Sequence, residues 1–369
     1  MPLSRVMTDD FIHATQLLRA GRFDEALGAF RLVYAGARAN GNSDLMAAAL
    51  GEMAWSCYRI GDPEQGLECA LAARRLWQQQ DNDVELARAL AVAAMLYLDL
   101  GFSDQADASA SQALALAIAR DDAGMLAFAL SARSLVLAAC RQSARGARLV
   151  EQAVAIAAHQ ANPAGAAYYL LNLGICHAGL ADEADAGAEP DRAARERATA
   201  IEVTAIAIQY AQHGGDVWTL RVALANNARL LALQGSTDAA LVLLDQCADL
   251  LDQPGLLLQL LYLDTLSAVL LRAGRLQEAR DSAVKAVQLA DSGDQLEHQV
   301  SAAGRLAEIL EALGDAPAAL DQFKRYHALY VRQAASAAQR RARIEAIGLA
   351  IDVAAPGSAD DDVPRRRRA

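Results

Sequence analysis

The chain has 369 residues, of which 54% are apolar and only 5% aromatic, and its formal net charge is −11. So many apolar but so few aromatic side chains favour closely stacked helices over a globular α/β core. The negative charge argues against nucleic-acid binding, which depends on a cationic surface. The five scattered cysteines are predicted to be reduced core thiols. Because no apolar stretch is long enough for a leader or a membrane span, we expect a cytoplasmic protein.

The first predicted element is a turn that recurs along the chain. Residues 17–26 read LLRAGRFDEA and residues 270–279 read LLRAGRLQEA. The glycine in each is predicted to close one helix in the left-handed conformation, and the acidic residues after it to open the next helix. Further turn glycines, most of them 40 residues apart, are Gly61, Gly101, Gly235 and Gly314. The same spacing predicts turns at Arg141 and near Ala181, which gives about eight helix–turn–helix repeats.

The fifth repeat is longer than the others. Between Gly179 and Ala198 it carries about a dozen additional residues, including Pro190. Insertions in helical arrays form loops on one face, often the binding face. A binding loop and a tolerated surface bulge are therefore the two interpretations of this segment.

The last predicted element is a single helix of about 37 residues, from Pro317 to about Ala354, which is free of internal turn signals up to Gly348. Along it, an apolar residue recurs at every seventh position, and these residues are Phe323, Tyr330, Ala337, Ile344 and Ile351. This spacing favours one seam of a coiled coil. It predicts a homodimer or partner docking through Phe323, Tyr330, Ile344 and Ile351. The alternative is a helix that only caps the array.

Small residues stand seven positions before and five positions after the turns, and Tyr97 stands at a tyrosine position, so residues 7–330 resemble the tetratricopeptide repeat (TPR) proteins. The 40-residue period is most similar to that of bacterial long-repeat members. The passage FKRYHALYVRQAASAAQRRARIEA resembles the end of the sensory TPR region of diguanylate cyclases, without their catalytic domain. The resemblance implies an all-α solenoid over 7–330, a helix extension over 331–354 and a disordered tail over 355–369.

Strings that imitate catalytic motifs lack the required context. Gly214, Gly215 and Asp216 begin like a cyclase signature, but they lie between helical segments and are predicted to form a turn. Cys176 and His177 are neighbours, and adjacent helix residues point about 100° apart, so a core histidine is predicted rather than a metal ligand or nucleophile. We expect no enzyme activity, no cofactor and no metal.

The TPR resemblance implies a groove lined by the first helix of each repeat. Asn172 and Asn226 match the position at which peptide-binding TPR proteins hold a peptide backbone with an amide, and Arg229 follows one turn later. The alternative is that both amides bond neighbouring helices. The predicted partner-binding residues are Trp55, Tyr58, Arg59, Tyr168, Asn172, Asn226, Arg229, Asp264 and Arg305.

These observations predict a non-enzymatic scaffold or regulator that binds a protein or peptide in the groove. The alternative function is a ligand- or peptide-sensing module of a bacterial cyclic-dinucleotide or transcriptional signalling system, which signals through the C-terminal helix. An enzyme with unrecognised chemistry is a third interpretation.

Overall fold

The computed structural model describes residues 8–250, 255–293 and 296–353. These residues form sixteen α helices and no β strand. In chain order the helices are α1 (Asp9–Arg19), α2 (Phe23–Ala39), α3 (Ser43–Ile60), α4 (Pro63–Gln79), α5 (Asp83–Asp99), α6 (Ser103–Arg120), α7 (Ala123–Ala139), α8 (Ser143–His159), α9 (Pro163–Ala186), α10 (Pro190–Gly214), α11 (Val217–Leu233), α12 (Thr237–Asp249), α13 (Leu256–Arg272), α14 (Leu276–Asp291), α15 (Leu296–Ala312) and α16 (Ala316–Val353). Odd-numbered helices open the repeats and even-numbered helices close them. The predicted all-α, TPR-like solenoid of about eight repeats with a long C-terminal helix is confirmed.

Left-handed residues separate the helices at a regular interval. Over the first half of the chain they recur every 20 residues, at Gly21, Gly41, Gly61, Asp81, Gly101, Asp121, Arg141 and Ala161. The predicted turn at Arg141 is confirmed, with φ at 56°. The predicted turn near Ala181 is wrong, because α9 continues to Ala186 and the left-handed residue is Ala188, with φ at 57°.

Helix starts follow the turns for a local reason. One residue after each of the turns at Gly41, Asp81, Asp121 and Ala161 stands an asparagine or aspartate whose side-chain oxygen accepts a hydrogen bond from the backbone N–H three residues later. These residues are Asn42, Asn82, Asp122 and Asn162. Such a bond satisfies an N–H group that has no partner within the helix, so each cap fixes where a first helix begins.

The insertion in the fifth repeat lengthens two helices instead of forming a loop. Helix α9 has 24 residues and α10 has 25, and the left-handed residues Ala161, Ala188 and Gly215 are 27 residues apart instead of 20, so each half of the repeat is seven residues longer. Nδ1 of His177 lies 2.8 Å from Oε2 of Glu196, and Nη2 of Arg197 donates to Oδ2 of Asp185 at 2.7 Å, which fastens α9 to α10. The side chain of His177 is 16% exposed and lies in this contact between the two helices.

The small residues predicted at the helix contacts are buried. Ala14, Ala54 and Ala94, each seven positions before a turn, are fully buried. In the fifth repeat, α9 and α10 approach so closely that a Cβ added to Gly174 would collide with Oγ1 of Thr204. Four cysteines are buried as predicted, but Cys140 is exposed, so the prediction of a core thiol is wrong at that position.

The chain forms two compact units. The first comprises the described residues up to Asn172 together with those from Ala342 onward, and the second runs from Leu173 to Arg341. In the first unit Ile344 is buried in the hydrophobic core, and Nη1 of Arg343 lies 3.0 Å from Oε2 of Glu64. None of the described helices combines the length and the apolar character that a bilayer crossing needs. The predicted tail over 355–369 and the side chain of Ile351 lie outside the described residues.

Candidate functional site

Helix α3 presents three of the predicted groove residues together. Trp55, Tyr58 and Arg59 are spaced by three and four positions, so they share one face of the helix. The ring of Trp55 stacks on that of Tyr58 with 5.4 Å between centroids. The guanidinium carbon of Arg59 lies 4.7 Å from the centroid of Trp55 and 5.6 Å from that of Phe23 on α2. All three α3 side chains are half-buried and retain access to solvent.

Rings from later repeats complete this arrangement. Phe128 of α7 and Tyr168 of α9 meet the ring of Trp55 edge-on, with centroids 5.6 Å and 5.9 Å away. We call Phe23, Trp55, Tyr58, Phe128 and Tyr168, together with Arg59, the aromatic cluster. It gathers side chains from the first, second, fourth and fifth repeats, all within the first unit. Two of its rings were not predicted, although Phe128 lies on the groove face of its own repeat.

Polar bonds hold the α9 side of the aromatic cluster. The hydroxyl of Tyr168 donates to Sδ of Met95 at 3.2 Å. One turn further along α9, Nδ2 of Asn172 donates to Oγ of Ser131 on α7 at 2.7 Å. Asn172 is only 2% exposed and Ser131 is fully buried. The amide of Asn172 is therefore engaged with a neighbouring helix, as in the alternative considered for the two asparagines.

The electrostatics of the aromatic cluster favour binding over acid–base chemistry. Burial raises the pKa of Tyr58, and the nearby Tyr168 and Asp99 raise it further. Burial also raises the pKa of Tyr168, against hydrogen bonding by Asn172. Both phenols are therefore neutral at pH 7 and act as hydrogen-bonding groups. The charges near the two phenols are those of Arg59 and Asp99, which have opposite signs.

The predicted groove residues of the second unit differ in burial and in their contacts. Asp264 and Arg305 come together across neighbouring repeats, with 3.4 Å between Oδ1 and Nε. Arg229 is exposed and Asn226 is half-buried. Its neighbour Asn227 is buried instead and donates from Nδ2 to the carbonyl oxygen of Ile201 at 3.1 Å. These residues do not form a cluster comparable to that of the first unit.

The residues predicted along the C-terminal helix differ in exposure. Phe323 is 56% exposed and Tyr330 is 54% exposed, whereas Ile344 is buried. Tyr326 lies between the first two and contacts both, with ring centroids 6.0 Å from Phe323 and 6.2 Å from Tyr330. An aromatic stripe thus faces solvent on the first half of α16. Elsewhere, no three His, Cys, Asp or Glu side chains within the described ranges come together as metal ligands would.

No protein-family model matches the chain, and no curated protein matches it. Several solved structures do match it. A Rap protein complexed with Competence and Sporulation Factor is 14% identical at a TM-score of 0.55, over 88% of this chain and 98% of that chain. The chain is a TPR-like helical repeat protein. IFIT1 with m7Gppp-AAAA is 14% identical at a TM-score of 0.48, over 86% of this chain and 79% of that one. BtubC from P. vanneervenii is 15% identical at a TM-score of 0.40, over 84% and 98%.

Proposed function

We propose that this TPR-like protein is a non-enzymatic scaffold or regulator that binds a protein or peptide segment, with the aromatic cluster as its main contact surface. The observation that carries the proposal is the solvent-accessible stack of Trp55, Tyr58 and Arg59 on one face of α3. Tryptophan, tyrosine and arginine are the residues that dominate binding energy at protein interfaces. The Rap protein of similar fold was solved with Competence and Sporulation Factor, which also supports this class of function.

The chemistry of the aromatic cluster defines the segment that it would hold. An apolar or aromatic side chain of the partner would pack against Trp55 and Phe128. The ring of Tyr58 and the guanidinium of Arg59 would flank that side chain.

Selection from a displayed library of random dodecapeptides tests the proposal. We expect enriched sequences with an apolar or aromatic anchor, and a loss of at least tenfold in their affinity for the Trp55→Ala variant, because an interface anchor contributes about 2 kcal/mol or more. Ile118→Ala is the matched control, since Ile118 is an exposed apolar residue on a second helix. Peptides that bind the Trp55→Ala and Ile118→Ala variants with unchanged affinity would refute the assignment.

The second candidate function is a sensory module, belonging to a bacterial cyclic-dinucleotide or transcriptional signalling system, that signals through its C-terminal helix. The aromatic stripe of Phe323, Tyr326 and Tyr330 supports it, because Phe323 and Tyr330 are exposed and a partner or a second copy would cover their rings. Mass measurement by light scattering tests self-association in the intact chain, in a chain truncated after Arg332, and in a Phe323→Ser, Tyr330→Ser variant. Self-association through α16 predicts a dimer for the intact chain and a monomer for the double variant. A monomer in all three cases would exclude it.

A further inference from the structure

The second unit contains a cavity that is separate from the aromatic cluster. It has a volume of about 170 Å³, opens to solvent, and lies between the first helices of the seventh and eighth repeats, α13 and α15, above α14. Its apolar wall is formed by Leu257, Leu260 and Leu261 of α13. Two buried alanines, Ala286 of α14 and Ala302 of α15, line it as well. Since small side chains stand where the helices meet, the space between them stays unfilled.

Three polar side chains complete the lining. They are Asp264 of α13 and His298 and Ser301 of α15. The Asp264 side chain is 38% exposed and lies 3.4 Å from Nε of Arg305. Arg305 makes its closer contact with Glu308, where Nη1 and Oε2 are 2.7 Å apart. The carboxylates of Asp264 and Glu308 therefore share the single guanidinium of Arg305, and the three groups carry a formal net charge of −1.

The imidazole of His298 adds no positive charge to this lining at pH 7. Its burial lowers its pKa below the ordinary value, against the opposing effect of Glu297. A neutral imidazole accepts or donates one hydrogen bond without repelling a cation. The exposed hydroxyl of Ser301 offers another polar contact. The lining thus joins an apolar wall to the carboxylate of Asp264, which shares one guanidinium with a second carboxylate.

We propose that this cavity binds a short apolar group carrying a protonated amine, with the amine paired to Asp264 and the apolar group against the leucines of α13. The volume limits the apolar part, since a cavity of about 150 Å³ holds one benzene ring. A single aromatic ring or a branched aliphatic chain is thus the largest group that fits. The amine belongs either to a free small molecule or to the N-terminal residue of a peptide, which share this chemistry.

Calorimetric titration with benzylamine and benzyl alcohol tests the pairing, because the two probes have nearly the same shape but differ in charge. We expect benzylamine to bind about tenfold more tightly, as a hydrogen bond to a charged group contributes about 1.5 kcal/mol or more. Asp264→Asn should abolish that preference and leave the alcohol's affinity unchanged. Asp281→Asn, which alters a 63% exposed aspartate on α14, should behave as the wild type.

A second variant tests the location independently. Ser301→Leu introduces a bulky side chain into the lining at an exposed position, so it should fold normally and weaken both probes at least tenfold. Equal affinity of the two probes for the wild-type protein, or an amine preference that survives Asp264→Asn, would overturn the proposal. So would the absence of any binding at 20 mM, which is about the weakest affinity expected for a ligand of this size.

Two further titrations complete the assignment. Leucinamide binding more tightly than benzylamine would assign the cavity to a peptide N-terminus, and the reverse order would assign it to a free amine. Both orders support the proposal. Trp55→Ala should leave all of these affinities unchanged, so a failure of the aromatic cluster as a peptide site is distinguishable from a failure of the cavity.

Discussion

Replacing Asn172 with alanine is expected to lower the free energy of unfolding by about 1 to 3 kcal/mol. The change removes the 2.7 Å hydrogen bond to Ser131 and leaves the Ser131 hydroxyl buried without that partner. An orphaned buried polar group costs about that much. Asn226→Ala is the matched change, because Asn226 occupies the same position in the next repeat but is half-buried. It should alter stability by less than about 0.5 kcal/mol.

Urea denaturation, followed by circular dichroism and tryptophan fluorescence, measures both effects. Repeat arrays can unfold in steps, so each transition is fitted separately. A double-mutant cycle with Ser131→Ala isolates the bond itself. Because removing both partners leaves no orphaned group, the double variant should be more stable than the two single losses would predict, by about 1 kcal/mol.

One result would refute this reasoning. If Asn172→Ala unfolds like the wild type and instead weakens a selected peptide, the amide acts in the groove and its bond to Ser131 contributes little. A large loss for Asn226→Ala would show that exposure does not distinguish the two asparagines.

Three further predictions concern the turns, the helix contacts and the thiols. Gly101→Ala should lower the free energy of unfolding by about 1 kcal/mol through its backbone alone, since φ is 80° and no atom lies within 4 Å of the added Cβ. Ala161→Gly should raise the free energy of unfolding by about 0.5 kcal/mol, because φ is 50° there. Chemical denaturation measures both effects. Gly174→Ala should destabilise through its collision with Thr204, and Thr204→Ala in that background should restore part of the loss in melting temperature. A thiol reagent should label one cysteine of the native protein quickly, and Cys140→Ser should remove that reaction, because the other four thiols are buried.

The repeat pattern was predictable because it rests on local chemistry. Turn glycines and small contact residues recur at fixed spacing, so they identify helix pairs without any long-range information. The insertion was not predictable in the same way. Its alanines and charged residues are compatible with both loop and helix, and the structure continues α9 and α10 through it. For this reason the turn lies at Ala188, seven residues after the position predicted near Ala181.

The aromatic cluster was predictable only in part. Trp55, Tyr58 and Arg59 fall on one helix face by spacing, and that arrangement follows from the helical period. The contact between Trp55 and Tyr168 joins repeats two and five, and it depends on how successive helix pairs are rotated against one another. The cavity beside Asp264 depends on the same rotation. No sequence motif encodes this rotation of successive helix pairs.

The added length of α9 and α10 has a consequence for how such an array tolerates change. Each helix gained seven residues, and seven residues fall only about 20° short of two full helical turns. Every residue beyond the addition therefore keeps its angular position about the helix axis, while the hairpin tip is displaced by about 10 Å along that axis. An addition of five residues would rotate the same residues by about 140° and exchange buried with exposed positions. Length changes close to whole helical turns, such as this one of seven residues, are thus the ones that this array can absorb within a helix, so a repeat can grow at its edge without disturbing its contacts with the next.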